Sequence, residues 1–110
     1  MAYDLELANR LREILAPEDG LAEKSMFGGL AFLVDGRLAV SASGRGGLLL
    51  RVDPHDTDTL VQQPHAQPFV MRGREMQGWL HIASTGVESD EELASWVARG
   101  VTYARTLPPK

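Results

Sequence analysis

Two apolar runs joined by Asp35-Gly36 constrain the fold of this chain more than any other feature of its sequence. The dipeptide is typical of a two-residue β-hairpin turn, because both turn positions require a positive φ, which Asp and Gly tolerate. Residues 26–34, "MFGGLAFLV", are predicted to form one strand, and "RLAVSAS" (37–43) returns beside it. The sequence therefore predicts an antiparallel hairpin whose register is set by the turn.

The first strand of this hairpin is apolar on both faces. The predicted register places Leu33, Ala31, Leu38 and Val40 on one face, and Val34, Phe32, Leu30 and Ala39 on the other. A sheet with one face open to water would alternate apolar and polar residues, so both faces are expected to be covered. Helices cover one face, and the other is either further core or a surface for a partner. The predicted interface consists of Met26, Phe27, Leu30, Phe32 and Val34, with Ala31 and Leu33 as the alternative.

Local signals place a helix at each end of the chain. Residues 4–15 carry apolar side chains at the i, i+4, i+7 and i+8 spacing of an amphipathic helix. Ser89 and Glu92 form a capping box at the start of a second apolar-periodic segment. Between these helices the sequence predicts a third strand at "LLLRVD", a short helix that begins at Pro54, and a second hairpin over residues 69–82.

The predicted order of elements is α-β-β-β-α-β-β-α within one domain of residues 1–110. Since hairpins dominate, we expect an α+β fold with a mainly antiparallel, five-stranded sheet and helices on one face. The residues expected to be buried are Leu11, Phe32, Leu80, Trp96, Val97 and Val101.

Composition excludes several classes of function. The chain has 110 residues, a net charge of −4 and no cysteine. Disulfides, thiolate catalysis and cysteine-based zinc sites are therefore excluded. The negative charge argues against a domain held to nucleic acid by bulk charge, so no direct duplex DNA binding is expected. No segment resembles a signal peptide or a membrane span of about 20 apolar residues, which favours a cytoplasmic protein without membrane contact.

No catalytic constellation stands out in the sequence. The three histidines, His55, His65 and His81, match no metal-binding spacing, so neither a metal nor a cofactor is expected. "SGRGG" (43–47) lacks the Gly-Lys-Ser/Thr ending of a phosphate loop and leads into a strand, so a glycine turn is the preferred interpretation. We therefore expect no enzymatic activity.

One cluster of side chains is a candidate ligand site. The arginines, the tryptophan and the histidine of the later strands and turns are predicted to lie near one another in the sheet, where they would suit an anionic or flat ligand. The alternative is that these side chains only contact one another across the strands and bind no ligand. The candidate residues are Arg51, Arg72, Arg74, Trp79 and His81.

Four segments resemble the N-terminal domain of the TfoX/Sxy family: "KSMFGGLAFLVDGRLAV", "LLLRVDP", "PFVMRGREMQGWLHI" and "ELASWVARGVTYARTLPPK". The resemblance covers nearly the whole chain. It implies a bacterial cytoplasmic protein and an antiparallel α+β domain similar to secretion-chaperone-like folds. Full-length relatives regulate natural competence together with a transcription activator and carry a second, helical domain, which a chain ending at "TLPPK" is expected to lack. The family supplies no catalytic residue.

These observations lead to one preferred interpretation and one main rival. The preferred interpretation is a non-enzymatic regulatory module that works through protein–protein contact, either as a homodimer or with another protein on the apolar strand face. The rival is a small anionic-ligand or nucleotide-binding domain that uses the arginines and the tryptophan.

Overall fold

Six antiparallel strands and three α-helices make up the fold, and the computed structural model describes residues 3–26 and 28–108. The elements are α1 (Leu5–Leu15), β1 (Leu21–Met26), β2 (Gly29–Val34), β3 (Arg37–Ala42), β4 (Leu48–Arg51), α2 (Thr57–Leu60), β5 (Ala66–Met71), β6 (Arg74–Ile82) and α3 (Asp90–Thr106), with 3₁₀ turns at Pro54–Asp56 and Ser84–Val87. The strand order across the sheet is β1-β2-β3-β4-β6-β5. In the described part of the chain, no helix is long and apolar enough to cross a membrane.

The prediction of five strands is wrong, because β1 was missed. Four of the six residues of β1 are exposed, and they include Glu23 and Lys24. An edge strand of this kind lacks the apolar alternation by which strands are recognised in a sequence. The strand predicted over residues 26–34 is accordingly divided. Met26 ends β1, Gly29 begins β2, and a turn joins them.

The predicted hairpin turn is confirmed. Asp35 and Gly36 have φ angles of 53° and 81°, which are the positive values that a type I′ turn requires. Leu33 pairs with Leu38, as the sequence predicted.

The predicted face of Val40 is wrong. The pairing shifts by one residue after Leu33, so Val40 lies opposite Phe32 and Ala39 has no partner on β2. This bulge turns Val40 to the same face as Phe32.

The helices cover the face of the sheet that carries Leu30, Phe32 and Val34, which is called the core face below. Helix α1 begins at Asp4, whose carboxylate accepts from the Leu7 N–H at 3.2 Å. Helix α3 begins at Ser89, whose hydroxyl accepts from the Glu92 N–H at 3.1 Å and donates to the Glu92 carboxylate. The predicted cap by Ser89 is confirmed, but the Glu92 carboxylate accepts from the Ser89 hydroxyl and not from the Ser89 N–H of a full capping box. Each of the residues predicted to be buried is buried, namely Leu11, Phe32, Leu80, Trp96, Val97 and Val101.

The predicted partner interface is corrected by this packing. Leu30, Phe32 and Val34 are 7%, 0% and 0% exposed, and they belong to the core shared with α1 and α3. These side chains therefore pack against the chain's own helices and present no surface to a partner. Met26 is half-buried, and Phe27 lies outside the described residues.

Helix α3 rests on the sheet at Gly100. A Cβ atom at this position would lie 2.6 Å from the Ala39 carbonyl oxygen and 2.8 Å from Leu50 Cδ1. Only a residue without a side chain lets the helix axis approach the bulged strand this closely, since separations under about 3 Å are repulsive for carbon.

Replacing Gly100 with alanine is expected to destabilise the protein by about 1–2 kcal/mol. Overpacking of a core costs about 1–3 kcal/mol, which outweighs the gain of about 1 kcal/mol in helix propensity. Chemical denaturation measures the change. Ser95→Ala, at an exposed position of the same helix, is the control and should stay within about 0.5 kcal/mol of the wild type. A Gly100→Ala protein as stable as the wild type would contradict the close approach.

An ion pair holds the edge strand β1 to helix α1. Arg12 donates from Nε and NH2 to the two carboxylate oxygens of Glu23, at 2.8 and 2.9 Å. The hydrogen bonds from Arg12, and then its charge, hold the pKa of Glu23 below the ordinary value of 4.5. Both side chains are solvent-accessible, so the stabilisation is screened by water and salt.

Stability is therefore expected to depend on pH through Glu23. A carboxylate with a lowered folded-state pKa stabilises the fold above its unfolded pKa and loses this contribution as pH falls through the folded value. The stability difference between wild type and Glu23→Gln should be constant from neutral pH to about pH 5 and should shrink below about pH 4.5. Urea denaturation across this range measures it, with Glu13→Gln on α1 as the control. A difference that stays constant down to pH 3 would refute the coupling.

Candidate functional site

The face of the sheet turned away from α1 and α3, called the second face below, is apolar and buried. Ala31, Ser41 and Leu49 lie side by side on it and are at most 2% exposed. The Ser41 hydroxyl is satisfied within the sheet, because it donates to the Leu30 carbonyl at 3.0 Å. Since the helices lie on the core face, something else must cover these residues.

The sheet covers its second face by curling. Met26 ends one edge strand and Met71 ends the opposite edge strand, yet both line one pocket of about 150 Å³. In a flat sheet of six strands, edges lie about 24 Å apart. Arg45, in the turn between β3 and β4, also donates from NH1 to the Val70 carbonyl on β5 at 3.3 Å. The two edges are thus brought together over the second face.

The backbone is tightly packed where β2 begins and β3 ends. A Cβ atom on Gly44 would lie 2.6 Å from the Gly28 carbonyl oxygen, and one on Gly29 would overlap the Ala42 carbonyl. Gly28 and Gly29 can pack against Ala42 and Gly44 only because Gly29 and Gly44 lack side chains. Their contact places Met26 and Arg45 beside the same pocket.

A series of arginine and aromatic side chains in contact, called the ladder below, begins on the second face and ends on helix α3. Arg45 lies over the Phe69 ring at 5.9 Å, and Phe69 contacts Trp79 with 6.3 Å between ring centroids. Arg51 lies 5.3 Å from the Trp79 ring and 5.9 Å from the ring of Tyr103 on α3. The ladder therefore runs Arg45–Phe69–Trp79–Arg51–Tyr103, and cation–π and aromatic contacts hold the β5–β6 hairpin against β4.

The predicted ligand cluster is divided between two places. Arg51 and Trp79 pair across β4 and β6 and belong to the ladder. Next to them, the His81 Nε2 lies 2.6 Å from the Gly46 carbonyl oxygen. A carbonyl can only accept, so Nε2 carries the proton and donates. Arg51, Trp79 and His81 thus hold the sheet and its turns together.

Arg72 and Arg74 lie elsewhere, at the turn of the β5–β6 hairpin. Both are exposed. Arg74 and Trp79 are five residues apart on β6, up to roughly 16 Å along an extended strand. The structure therefore does not bring the five candidate residues into one site.

The end of this hairpin is an exposed surface, called the hairpin tip below and formed by residues 70–77. The pairing of β5 with β6 is interrupted between Pro68 and Val70, so the tip is offset from the rest of the sheet. Val70 and Met76 are 40% and 37% exposed. Only one other large apolar side chain in the described part of the chain is as exposed, Leu5 on α1.

The pocket between Met26 and Met71 has an apolar part and a polar part. Its apolar walls are Met26, Leu49, Phe69 and Met71, and its polar walls are Ser41, Ser43, Gly44 and Arg45. Sequence reasoning missed Arg45, Phe69 and Met71 as site residues. The only signal in the sequence was Arg45 within the glycine-rich segment 43–47, and that segment was interpreted as a simple turn.

A wider cleft lies between the Pro54–Asp56 turn, α2 and α3. Its volume is about 360 Å³, and Asp53, Asp56, Arg99 and Tyr103 are among its lining residues. The charges in it are mixed, and no set of three His, Cys, Asp or Glu side chains that could hold a metal ion occurs in residues 3–26 and 28–108. The cleft therefore offers less defined recognition chemistry than the pocket.

Comparison with known protein families gave one match. The family model described as the TfoX N-terminal domain matches residues 13–104, a segment that begins in α1, ends in α3 and contains the entire sheet. Comparisons with curated proteins and with solved structures gave no significant match. The expected likeness to secretion-chaperone-like folds therefore stays a prediction.

If Arg51 serves the ladder, its removal should reduce stability. Arg51→Met keeps the length of the side chain but loses the charge over two rings, which is expected to cost about 1 kcal/mol. Thermal or urea denaturation followed by Trp79 fluorescence measures the loss. Arg74→Met, at an exposed position, should stay within about 0.5 kcal/mol. Equal stability of wild type and Arg51→Met would mean that the guanidinium has no structural role and is available for a ligand.

Proposed function

This chain belongs to the TfoX N-terminal domain family, and we propose that it is a non-enzymatic regulatory module that binds an acidic protein partner through the hairpin tip. The observation that carries the proposal is that each strand of the hairpin tip exposes one large apolar side chain, Val70 and Met76, together with Arg72 and Arg74. Val70 pairs with Glu75, so the two apolar side chains lie on opposite faces of the tip. We place this activity in the bacterial cytoplasm.

The composition of the hairpin tip supports a protein partner. Large exposed apolar side chains beside arginines are typical of protein interfaces, in which Met and Arg are enriched. Arginine also provides bidentate contacts to carboxylates. In the tip, Arg72 and Arg74 outnumber Glu75, whereas the whole chain has a net charge of −4. An acidic partner would be attracted to the tip more than to any acidic part of the surface.

The hairpin tip is held in place by the rest of the protein, which reduces the entropy lost on binding. The Arg45 side chain donates to the Val70 carbonyl at the base of the tip. Phe69 is buried against Trp79 just before it. The backbone of Gly78, just after it, donates to the Thr57 hydroxyl at 2.9 Å. A tip anchored on both sides presents its side chains in a fixed arrangement.

A second copy of the chain is a poorer occupant of the hairpin tip. In a two-fold dimer the same patch meets itself, so Arg72 and Arg74 would face their own copies and repel. The reason that the sequence offers for a homodimer, an uncovered face of β2, is also weakened. Leu30, Phe32 and Val34 are buried, and on the second face Ala31 is buried and Leu33 is half-buried. We therefore propose a different protein as the partner, and no direct contact with duplex DNA.

The proposal is tested by capture with matched variants. The immobilised protein is exposed to an extract of the source cells, and captured proteins are identified by mass spectrometry. A double variant, Val70→Ser with Met76→Ser, should bind the specific partner at least about tenfold more weakly, because it removes the exposed apolar side chain from both faces of the tip. Leu5→Ser removes an equally exposed apolar side chain from α1 and should capture the partner as the wild type does.

Two further measurements complete the test. With the purified partner, affinity should fall as salt is raised, since the arginines are exposed. Sedimentation equilibrium at micromolar concentration should give the monomer mass for the chain alone. The proposal is wrong if the double variant and the wild type bind the partner equally, or if self-association through the hairpin tip accounts for all binding.

A further inference from the structure

We propose that the pocket between Met26 and Met71 binds a small monocarboxylic acid whose apolar part is about the size of a benzene ring. This site is distinct from the hairpin-tip contact, although Met71 belongs to the tip and also lines the pocket. Its polar end uses Arg45 and Ser43, whereas the partner contact uses Arg72 and Arg74.

The size of the pocket sets the size of the ligand. Its volume is about 150 Å³, and an apolar cavity of roughly this volume accepts one benzene molecule. A nucleotide, with a base, a sugar and phosphates, does not fit into this space.

The apolar walls can adapt to a ligand. Leu49 and Phe69 are buried and form the fixed part of the wall. Met26 and Met71 are half-buried and reach the pocket from the two opposite edges of the sheet. Methionine is flexible and polarisable, so two methionines can close around ring or alkyl groups of slightly different shape.

The polar end of the pocket offers donors that lack an anionic partner. No carboxylate among residues 3–26 and 28–108 forms an ion pair with Arg45. Its NH1 nitrogen donates to the Val70 carbonyl at the long distance of 3.3 Å. The other N–H groups of the guanidinium take no part in this bond and can donate to a ligand. The Arg45 side chain is exposed and lies over the Phe69 ring, so in the free protein its charge meets water and the ring.

Ser43 supplies a second donor. Its oxygen accepts from the Arg45 backbone N–H at 3.1 Å. An oxygen that accepts still carries a hydrogen to donate, and within the described chain that hydrogen has no acceptor. Ser43 is only 8% exposed, so the hydroxyl is directed by the turn that holds it. A carboxylate, which accepts only, matches a guanidinium and a hydroxyl placed together.

The number of donors favours one carboxylate over a phosphate group. A phosphate monoester carries a charge of about −1.5 to −2 and three acceptor oxygens. One arginine and one hydroxyl neutralise and satisfy a single carboxylate but leave a phosphate undercompensated in a partly buried site. The ligand is therefore a monocarboxylate with an apolar group directed between the two methionines.

Three small probes separate the contributions of charge and ring. Phenylacetate carries both groups, phenylacetamide lacks the charge, and acetate lacks the ring. The readout is the NMR signals of ¹³C-labelled methionine methyl groups, since Met26 and Met71 line the pocket while Met76 is exposed outside it. Phenylacetate should shift the Met26 and Met71 signals saturably, with a dissociation constant of about 1 mM as expected for so small a ligand. The Met76 signal should not move.

The comparison of probes is made first on the wild-type protein. Phenylacetamide and acetate should each bind at least about tenfold more weakly than phenylacetate, because each lacks one of the two recognised groups. This comparison tests the proposed binding of a monocarboxylate even if a variant fails to fold. The proposal is overturned if phenylacetate causes no saturable shift, if phenylacetamide binds equally well, or if Met76 shifts together with the other two methionines.

Two arginine variants then test the assignment of the polar end. Arg45→Gln should weaken phenylacetate binding at least about tenfold through loss of the charge-assisted hydrogen bonds. Arg74→Gln removes the same charge from the same side of the sheet without lining the pocket, and should change the affinity by less than about twofold. Equal effects of the two substitutions would show that phenylacetate responds only to net charge, and would overturn the site.

Discussion

A strand that is apolar on both faces must be covered on both faces, and the architecture of this protein depends on how β2 meets that constraint. On the core face, α1 and α3 bury Leu30, Phe32 and Val34. Among residues 3–26 and 28–108 no helix packs over the second face, and the sheet itself bends until its two edges approach. Such bending requires interruptions in the regular pairing, and the bulge at Ala39 and the irregularity between Pro68 and Val70 supply them.

The residues that close the second face are also the residues that form the candidate site. Arg45, Phe69, Trp79 and Arg51 stack across the curled sheet, so the ladder stabilises the curl while one end of it lines a pocket. Arginine suits both tasks, since its planar group stacks on a ring and still has in-plane donors for a carboxylate. In this fold, structural and binding roles are therefore divided along one ladder, with Arg51 held between two rings and Arg45 over one.

The parts of the fold that were predictable are those specified by neighbouring residues. Asp35-Gly36 determines its turn, Ser89 and Glu92 determine the start of α3, and helical spacing identifies the buried face of α1. The bulge at Ala39 leaves no local signal, because it depends on how β3 packs against Gly100 of α3. The pocket could not be predicted from the sequence either. Residues 26 and 71 are 45 positions apart, on opposite edges of the sheet, and only the curl joins them.

The hairpin tip and the pocket are physically connected through Arg45. Its guanidinium lines the pocket and also donates to the Val70 carbonyl at the base of the tip. A carboxylate that draws the guanidinium toward the pocket competes with this hydrogen bond, so pocket occupancy and the position of Val70 are linked.

Linkage of this kind is reciprocal. A ligand in the pocket changes the free energy of partner binding by the same amount as the partner changes the free energy of ligand binding. Because the bond is long, at 3.3 Å, and its donor is exposed, the coupling it can transmit is small, at most about 1 kcal/mol for one hydrogen bond. Partner binding by the proposed module would in that case be adjusted slightly by a small acid and not turned on or off by it.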